Sequence, residues 1–349
     1  MSGETDKNGL IYPFEAPPPV GQVTEVADGV VWIRMPLPFT LDHINLWGIR
    51  DGDGWAVVDT GVQTPETVSA WQALLKGPFG GAPVTRVIVT HMHPDHVGMA
   101  GWLTRRFECR LWMTRLEYLT CRVLVADTGR TAPADGVEFY RRAGWDADSL
   151  ETYRTRFGGF GRHVYQLPDS YRRVVDGEVI RIGAHDWRVI VGMGHSPEHA
   201  CLVCEELGVL VSGDQVLPRI SSNVSVFPTE PDADPLDDWL SSLSLVREQV
   251  GDEILVLPAH NAPFRGLHAR LDALQRGHRV SLERLLRTLS QPRRAIDVFG
   301  ALFARRIDPE SGLLGMATGE ALAHLNHLRH AGLIVAEPDA QGVLWYRAA

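Results

Sequence analysis

His91-Met92-His93-Pro94-Asp95-His96 is the stretch on which the reading of this chain turns. Three imidazoles and a carboxylate crowd into six residues, directly after the apolar run Arg86-Val87-Ile88-Val89-Thr90. That run reads as a buried strand. The cluster therefore sits where a strand gives way to a loop. A loop there can aim several side chains at one point. Nitrogen and oxygen donors in this mixture suit zinc or a similar divalent ion. Scattered surface histidines are common and carry no such meaning, but here the rest of the chain supplies further donors.

Those donors arrive at the ends of three later apolar runs. Trp187-Arg188-Val189-Ile190-Val191 leads to Gly194-His195-Ser196, and Leu207-Gly208-Val209-Leu210-Val211 leads to Ser212-Gly213-Asp214. Ile254-Leu255-Val256-Leu257-Pro258 leads to Ala259-His260. With Asp95, the candidate ligands are His91, His93, Asp95, His96, His195, Asp214 and His260. A single catalytic zinc takes three protein ligands plus water. Seven donors suit two ions that share a carboxylate and hold a bridging hydroxide.

The order and context of these residues resemble the metallo-β-lactamase superfamily of metal-dependent hydrolases over roughly residues 25–265. The motif that carries the resemblance is His-x-His-x-Asp-His with a later Gly-His, Gly-Asp and His. The resemblance implies an α/β fold, a four-layer αββα sandwich. It implies that His91, His93 and His195 bind one metal, that Asp95, His96 and His260 bind another, and that Asp214 bridges. Two zinc ions are expected, with iron or manganese as alternatives. Asp95 and Asp214 are the expected catalytic carboxylates, either of which could take a proton during collapse. True lactamases usually carry Cys where this chain has Asp214. That departure leaves β-lactam hydrolysis at most a minor promiscuous activity.

Other residues have candidate supporting roles. Trp55-Ala56-Val57-Val58-Asp59-Thr60-Gly61 reads as a strand ending in Asp-Thr-Gly. Metal-bound histidines usually donate their free N–H to a carboxylate or carbonyl. Asp59 is the candidate orienter, as the family pattern also implies; the alternative is a turn cap. His199, Arg219 and Asn223 are candidate substrate contacts. His199 reads equally well as a satisfied core histidine, and the other two as ordinary turn residues. Asn45 is a candidate brace for the active-site loop, while His43 has no assigned role.

Composition bounds the rest. The chain has 349 residues, 44% of them hydrophobic, with a mean hydropathy of −0.08. These values describe a globular protein large enough for one large domain and one small one. No stretch of eighteen apolar residues predicts a membrane span. The first twenty residues lack a signal-peptide core, so a cytoplasmic location is the default expectation. Four cysteines do not make a disulfide scaffold. Cys201 and Cys204 fall in an expected strand, where their spacing turns them to opposite faces. The net charge of −9 speaks against a generic nucleic-acid binder.

The expected organisation is an extended arm (1–20), a catalytic domain (21–266) and a C-terminal domain (267–349). Within the catalytic domain, a helical cap is expected at about 114–170, with helices near 114–126, 135–144 and 147–157. Residues 105–173 carry thirteen Arg against nine acids. The cap could present Arg to an anionic substrate group, or it could be helical filler with solvated Arg. An amphipathic helix is expected from Asp237 to Val250. After His260, helices are expected at 268–289, at 295–305 and from Thr318 to a stop at Gly332. A hairpin around Asp339-Ala340-Gln341-Gly342 follows. Helices followed by a hairpin suggest a winged-helix-like tail, which resembles the C-terminal domain of hydrolases similar to lactamase-β-like protein 2. Its weak charge favours packing or a homodimer contact over nucleic-acid capture. The function expected is hydrolysis of a small ester, thioester or lactone by a metal-bridging hydroxide. The alternatives are a metal-dependent phosphodiesterase or endoribonuclease, and a non-enzymatic metal-binding regulator.

Overall fold

The computed structural model describes residues 6, 9–38, 41–304, 306–308 and 312–349, so most of the arm's first eight residues lie outside it. Among the described residues, two sheets stack face to face. The first has seven strands in sequence order: β1 (Val23–Ala27), β2 (Val30–Pro36), β3 (His43–Asp51), β4 (Gly54–Val58), β5 (Val84–Ile88), β6 (Arg110–Met113) and β7 (Arg172–Arg173). Pairing is antiparallel from β1 to β4 and parallel from β4 to β7. The second sheet has β8 (Val179–Ile182), β9 (His185–Gly192), β10 (His199–Cys204), β11 (Val209–Gly213) and β12 (Leu255–Pro258), with β8 and β12 at its edges.

The side-chain alternation of the strands makes the layers. In β2, Val30 and Trp32 face the second sheet, while Val31 and Ile33 face the outer helices. In β10, Ala200, Leu202 and Cys204 point between the sheets, and Cys201 and Val203 point away. Cys201 and Cys204 therefore lie on opposite faces, and both are free thiols. Trp32, Trp47 and Trp187 fill the layer between the sheets and are fully buried. At ~25 cal/mol per Å² over roughly 150–250 Å², each adds about 4–6 kcal/mol of gross burial as an upper bound.

Helices α1 (Pro65–Lys76), α2 (Pro94–Val97) and α3 (Ala100–Phe107) follow strands of the first sheet. Trp71 and Leu74 of α1 and Leu103 of α3 pack on its outer face. Three insertion helices come next, α4 (Arg115–Ala126), α5 (Ala134–Ala143) and α6 (Ala147–Arg156). On the outer face of the second sheet lie α7 (Pro235–Gln249) and α8 (Leu267–Thr288). The chain closes with α9 (Phe299–Leu302), α10 (Leu314–His330) and a hairpin of β13 (Ile334–Pro338) and β14 (Leu344–Ala348). The result is the expected four-layer αββα sandwich with a small C-terminal addition.

Two expectations need correction. The helix expected at 295–305 is a 3₁₀ turn at Ala295–Val298 followed by the short α9, and Arg305 lies outside the described residues. Helix α10 begins at Leu314 rather than Thr318. The Thr318 hydroxyl does not cap; it donates to the Leu314 carbonyl one turn back, at 2.8 Å. The insertion packs against the C-terminal helix. Phe139 and Ala143 of α5 join the core that contains Ala321 and Leu325 of α10, and the Trp145 indole donates to Thr318 Oγ1 at 2.9 Å. Several of the insertion's Arg residues meet acids close by, in Arg130–Asp127, Arg141–Glu138 and Arg154–Glu151. These contacts favour helical filler over an anion-binding lid.

Candidate metal centre

The expected ligands meet at one rim of the sandwich. His91 and His93 follow β5, His195 follows β9, Asp214 follows β11 and His260 follows β12. Pro94 starts α2 with a ring already suited to a helix's first turn, and this single turn brings Asp95 and His96 back toward the same point. The donors form two groups, His91, His93, His195 with Asp214, and Asp95, His96 with His260. Within each group the donor atoms lie within 4.8 Å of one another.

In the first group, His91 Nε2 is 2.8 Å from His93 Nδ1 and 3.2 Å from His195 Nε2. His195 gives its Nδ1 proton to the Asn223 carbonyl at 2.7 Å, which leaves Nε2 as the nitrogen facing the group. Burial, with the neighbouring imidazoles, holds His91 well below the usual histidine range, and burial pushes His93 down to about 3. Imidazole nitrogens of all three thus face one another at short range, an arrangement that suits a cation between them. In the second group, His96 Nε2 is 3.7 Å from Asp95 Oδ2, and His260 Nε2 is 3.4 Å from the same oxygen. Burial opposes ionisation of Asp95, but His96 and His260 hold it down to about 2.

Asp214 lies between the groups. Its Oδ2 is 3.3 Å from His195 Nε2, and its Oδ1 is 3.4 Å from His260 Nε2 and 3.6 Å from His96 Nε2. Asp214 Oδ1 and His96 Nε2 are buried and make no hydrogen bond. Orphaned buried donors and acceptors of this sort are costly unless something else meets them. The residues fit a pair of divalent ions with one shared carboxylate.

Asp59 stands behind His96, accepting its Nδ1 proton at 2.8 Å and the Thr90 N–H at 2.8 Å. Its backbone is left-handed, with φ of 61°, a conformation that Asp tolerates better than most residues. The twist turns the carboxylate under the His91–His96 loop.

A profile of the metallo-beta-lactamase superfamily matches residues 39–289, and a profile of the metallo-beta-lactamase-like C-terminal domain matches residues 282–349. The chain belongs to the metallo-beta-lactamase superfamily. A beta-lactamase domain protein from Burkholderia ambifaria is 41% identical and superposes with a TM-score of 0.88, covering 97% of this chain and 98% of that one. A metallo-beta-lactamase family protein from Thermus thermophilus is 25% identical, with a TM-score of 0.77 and coverage of 93% and 100%. An atrochrysone carboxyl ACP thioesterase from Aspergillus fumigatus is 26% identical over 72% of this chain. The chain spans only 46% of that relative's length. The acyl-coenzyme A thioesterase MBLAC2 of Gallus gallus is 28% identical over 55% of this chain and 64% of its own.

The remaining sequence candidates separate. His199 is fully buried, and its Nε2 accepts the Asp214 N–H at 3.0 Å. It sits beneath Asp214 and has no exposed surface. Gly213 leaves room for it, since a Cβ there would lie 2.5 Å from His199 Nε2. Asn223 is likewise occupied. Its carbonyl holds His195 and its amide donates to Glu320 Oε2 at 2.8 Å. Arg219 is exposed, with its guanidinium over the Tyr12 ring. Asn45 donates to the carbonyls of Pro258 and Asn261, on either side of His260.

Two supporting groups escaped the sequence reading. The His43 carbonyl accepts the His260 Nδ1 proton at 2.9 Å, and the His43 ring accepts the Asn261 N–H at 3.0 Å. Glu117, at the start of α4, is fully buried. One of its carboxylate oxygens accepts the Met92 N–H and the other the Glu198 N–H, both at 2.8 Å. It ties together the two loops that carry His91, His93 and His195. An acid three residues after Thr114 at a helix start was the only local signal.

Proposed function

We propose that this chain is a dinuclear metal-dependent hydrolase of a small thioester, ester or lactone. The observation that carries the reading is the convergence of seven His and Asp donors on one rim in two groups around Asp214. When bound, divalent ions would polarise a carbonyl and lower the pKa of water toward neutrality. Zinc suits the mixture of imidazole and carboxylate, with iron and manganese as alternatives. His91, His93 and His195 would hold one ion, Asp95, His96 and His260 the other, and Asp214 both.

The residues around the ions supply orientation and proton handling. The carbonyls of Asn223 and His43 fix which nitrogen of His195 and of His260 faces inward. Asp59 does the same for His96. Asp95 or Asp214 would take a proton as the leaving group departs. Support for a thioester comes from two relatives whose names declare thioesterases. The net charge of −9 also suits a small molecule better than a nucleic acid.

The test compares kcat/KM for acyl thioesters and lactones with that for phosphodiesters and RNA, on one metal-loaded preparation. The expected result is a thioester or lactone in the lead. Phosphodiesters ahead by tenfold, about 1.4 kcal/mol of transition-state binding, would replace this reading with a phosphodiesterase.

A further inference from the structure

Helix α10 reaches the metal centre through one carboxylate. Glu320 lies in the second turn of α10 and accepts the Asn223 amide N–H at 2.8 Å. The other end of that amide, Oδ1, accepts the Ser225 hydroxyl at 2.6 Å. Both ends of the Asn223 side chain are thus held, and its carbonyl is left to accept the His195 Nδ1 proton. The same stretch is locked against α10 elsewhere. The Val226 N–H donates to the Gly319 carbonyl at 3.0 Å, and a Cβ on Gly319 would come within 2.8 Å of Ser225. One residue before Asn223, the Ser222 hydroxyl donates to the Asp214 carbonyl. Residues 222–226 are therefore a bridge. One side meets His195 and Asp214, and the other meets the C-terminal helix.

We propose that Glu320 is a positioning residue for His195. Acting through Asn223, it fixes the carbonyl that sets the tautomer and direction of that imidazole. The inference rests on the reading of His195 as a metal ligand. Arg270, which lines the same cavity of about 290 Å³, does not draw this carboxylate away, because it spends its guanidinium on the carbonyls of Leu217 and Ile220. The C-terminal domain thus completes the active site instead of merely following it. The carboxylate–amide pair is the one link in this contact that leads directly to the group holding His195.

The test uses four full-length variants, Glu320→Ala, Glu320→Gln, Asn223→Asp and the double variant Glu320→Gln/Asn223→Asp. Gln keeps an acceptor for the Asn223 amide. Asn223→Asp removes the amide donor and places a second carboxyl group against Glu320, and the double variant restores one hydrogen bond with its direction reversed. Two readouts are taken. One is zinc affinity by competition with a chelator; the other is the His195 Nδ1–H resonance in ¹⁵N-histidine-labelled protein without metal. Loss of a group that directly orients a ligand costs roughly 10–100-fold in metal affinity. Glu320→Ala, acting one residue further out, is expected to cost about 3–10-fold and to speed exchange of the His195 N–H. Glu320→Gln and the double variant should stay near the parent protein, and Asn223→Asp should not. Parent-like zinc affinity and an unmoved His195 N–H signal in Glu320→Ala would overturn the proposal. So would a double variant as impaired as Asn223→Asp. A parent protein that takes up no zinc would overturn the metal reading instead, and the metal-free resonance would still decide the role of Glu320.

Discussion

Replacing Glu117 probes how the ligand loops are held apart from what they bind. Each oxygen of this buried carboxylate accepts one backbone N–H, from Met92 and from Glu198. Glu117→Ala leaves both donors buried without a partner. An unsatisfied buried group costs about 1–3 kcal/mol, so the pair costs roughly 2–6 kcal/mol, less the relief of no longer desolvating a carboxylate. Burial, the leading influence on this group, already raises its pKa, so that relief is real. Glu117→Gln can satisfy one N–H but turns its own NH₂ toward the other, and should cost about 1–3 kcal/mol. For a chain of 349 residues the unfolding entropy is about 0.7 kcal/mol per kelvin. A loss of about 3 kcal/mol then lowers Tm by roughly 4 °C. The assay is thermal unfolding without metal, paired with a zinc titration of the same samples. The first readout reports the orphaned N–H groups, and the second whether His91, His93 and His195 still converge. Both variants within about 0.5 kcal/mol of the parent, with unchanged zinc affinity, would refute the reasoning.

Purified protein should hold about two divalent ions per chain, and Asp214→Ala should lower the content toward one with loss of most activity; elemental analysis and a kinetic assay check this. Gly213→Ala should destabilise the fold by about 1–3 kcal/mol and weaken metal binding, because φ is +49° and the new Cβ would press on His199; a urea titration measures the first effect and a chelator competition the second. Burial pushes Glu320 up to about 7 from 4.5. Below pH 4.5 the folded and unfolded chains both hold this proton, and between about 4.5 and 7 only the folded chain does. Stability from this group is therefore lost as pH rises through that window, by up to about 3 kcal/mol. Urea unfolding of Glu320→Gln beside the parent at about pH 4.5 and about pH 7.5 should show the difference, and parallel profiles would contradict it.

The convergence of the candidate donors was readable because strand and loop alternate in a local pattern. Each apolar run ends within a few residues of a His or Asp, and that punctuation needs no knowledge of distant contacts. Asp59 was readable for the same reason. Glu117 and Glu320 were not. Each acts on backbone or amide groups more than twenty residues away, and nothing in the local helix sequence marks the partner. His43 was hidden differently, since its carbonyl is what orients His260, and a carbonyl has no residue identity. His199 misled because a histidine four residues after a ligand could lie on either side of it. The chain turns into β10 at that point and buries the ring. The start of α10 was misplaced because Thr318 resembles a cap but sits inside the helix.

Neither donor group belongs to one sheet. His91, His93, Asp95 and His96 hang from the first, while His195, Asp214 and His260 hang from the second. The interior between the sheets is mostly apolar contact, which has no direction, with hydrogen bonds such as Asn45 to the Pro258 carbonyl and Ala200 N–H to the Thr90 carbonyl crossing near the rim. Ions seated on the rim would act as rivets through two plates. Pulling them should loosen the seam where the plates are riveted and leave its far end shut. Amide exchange in metal-free protein should then quicken along Val89–His96 and around His195 and His260 first, while the β1–β2 edge and the β13–β14 hairpin keep their protection.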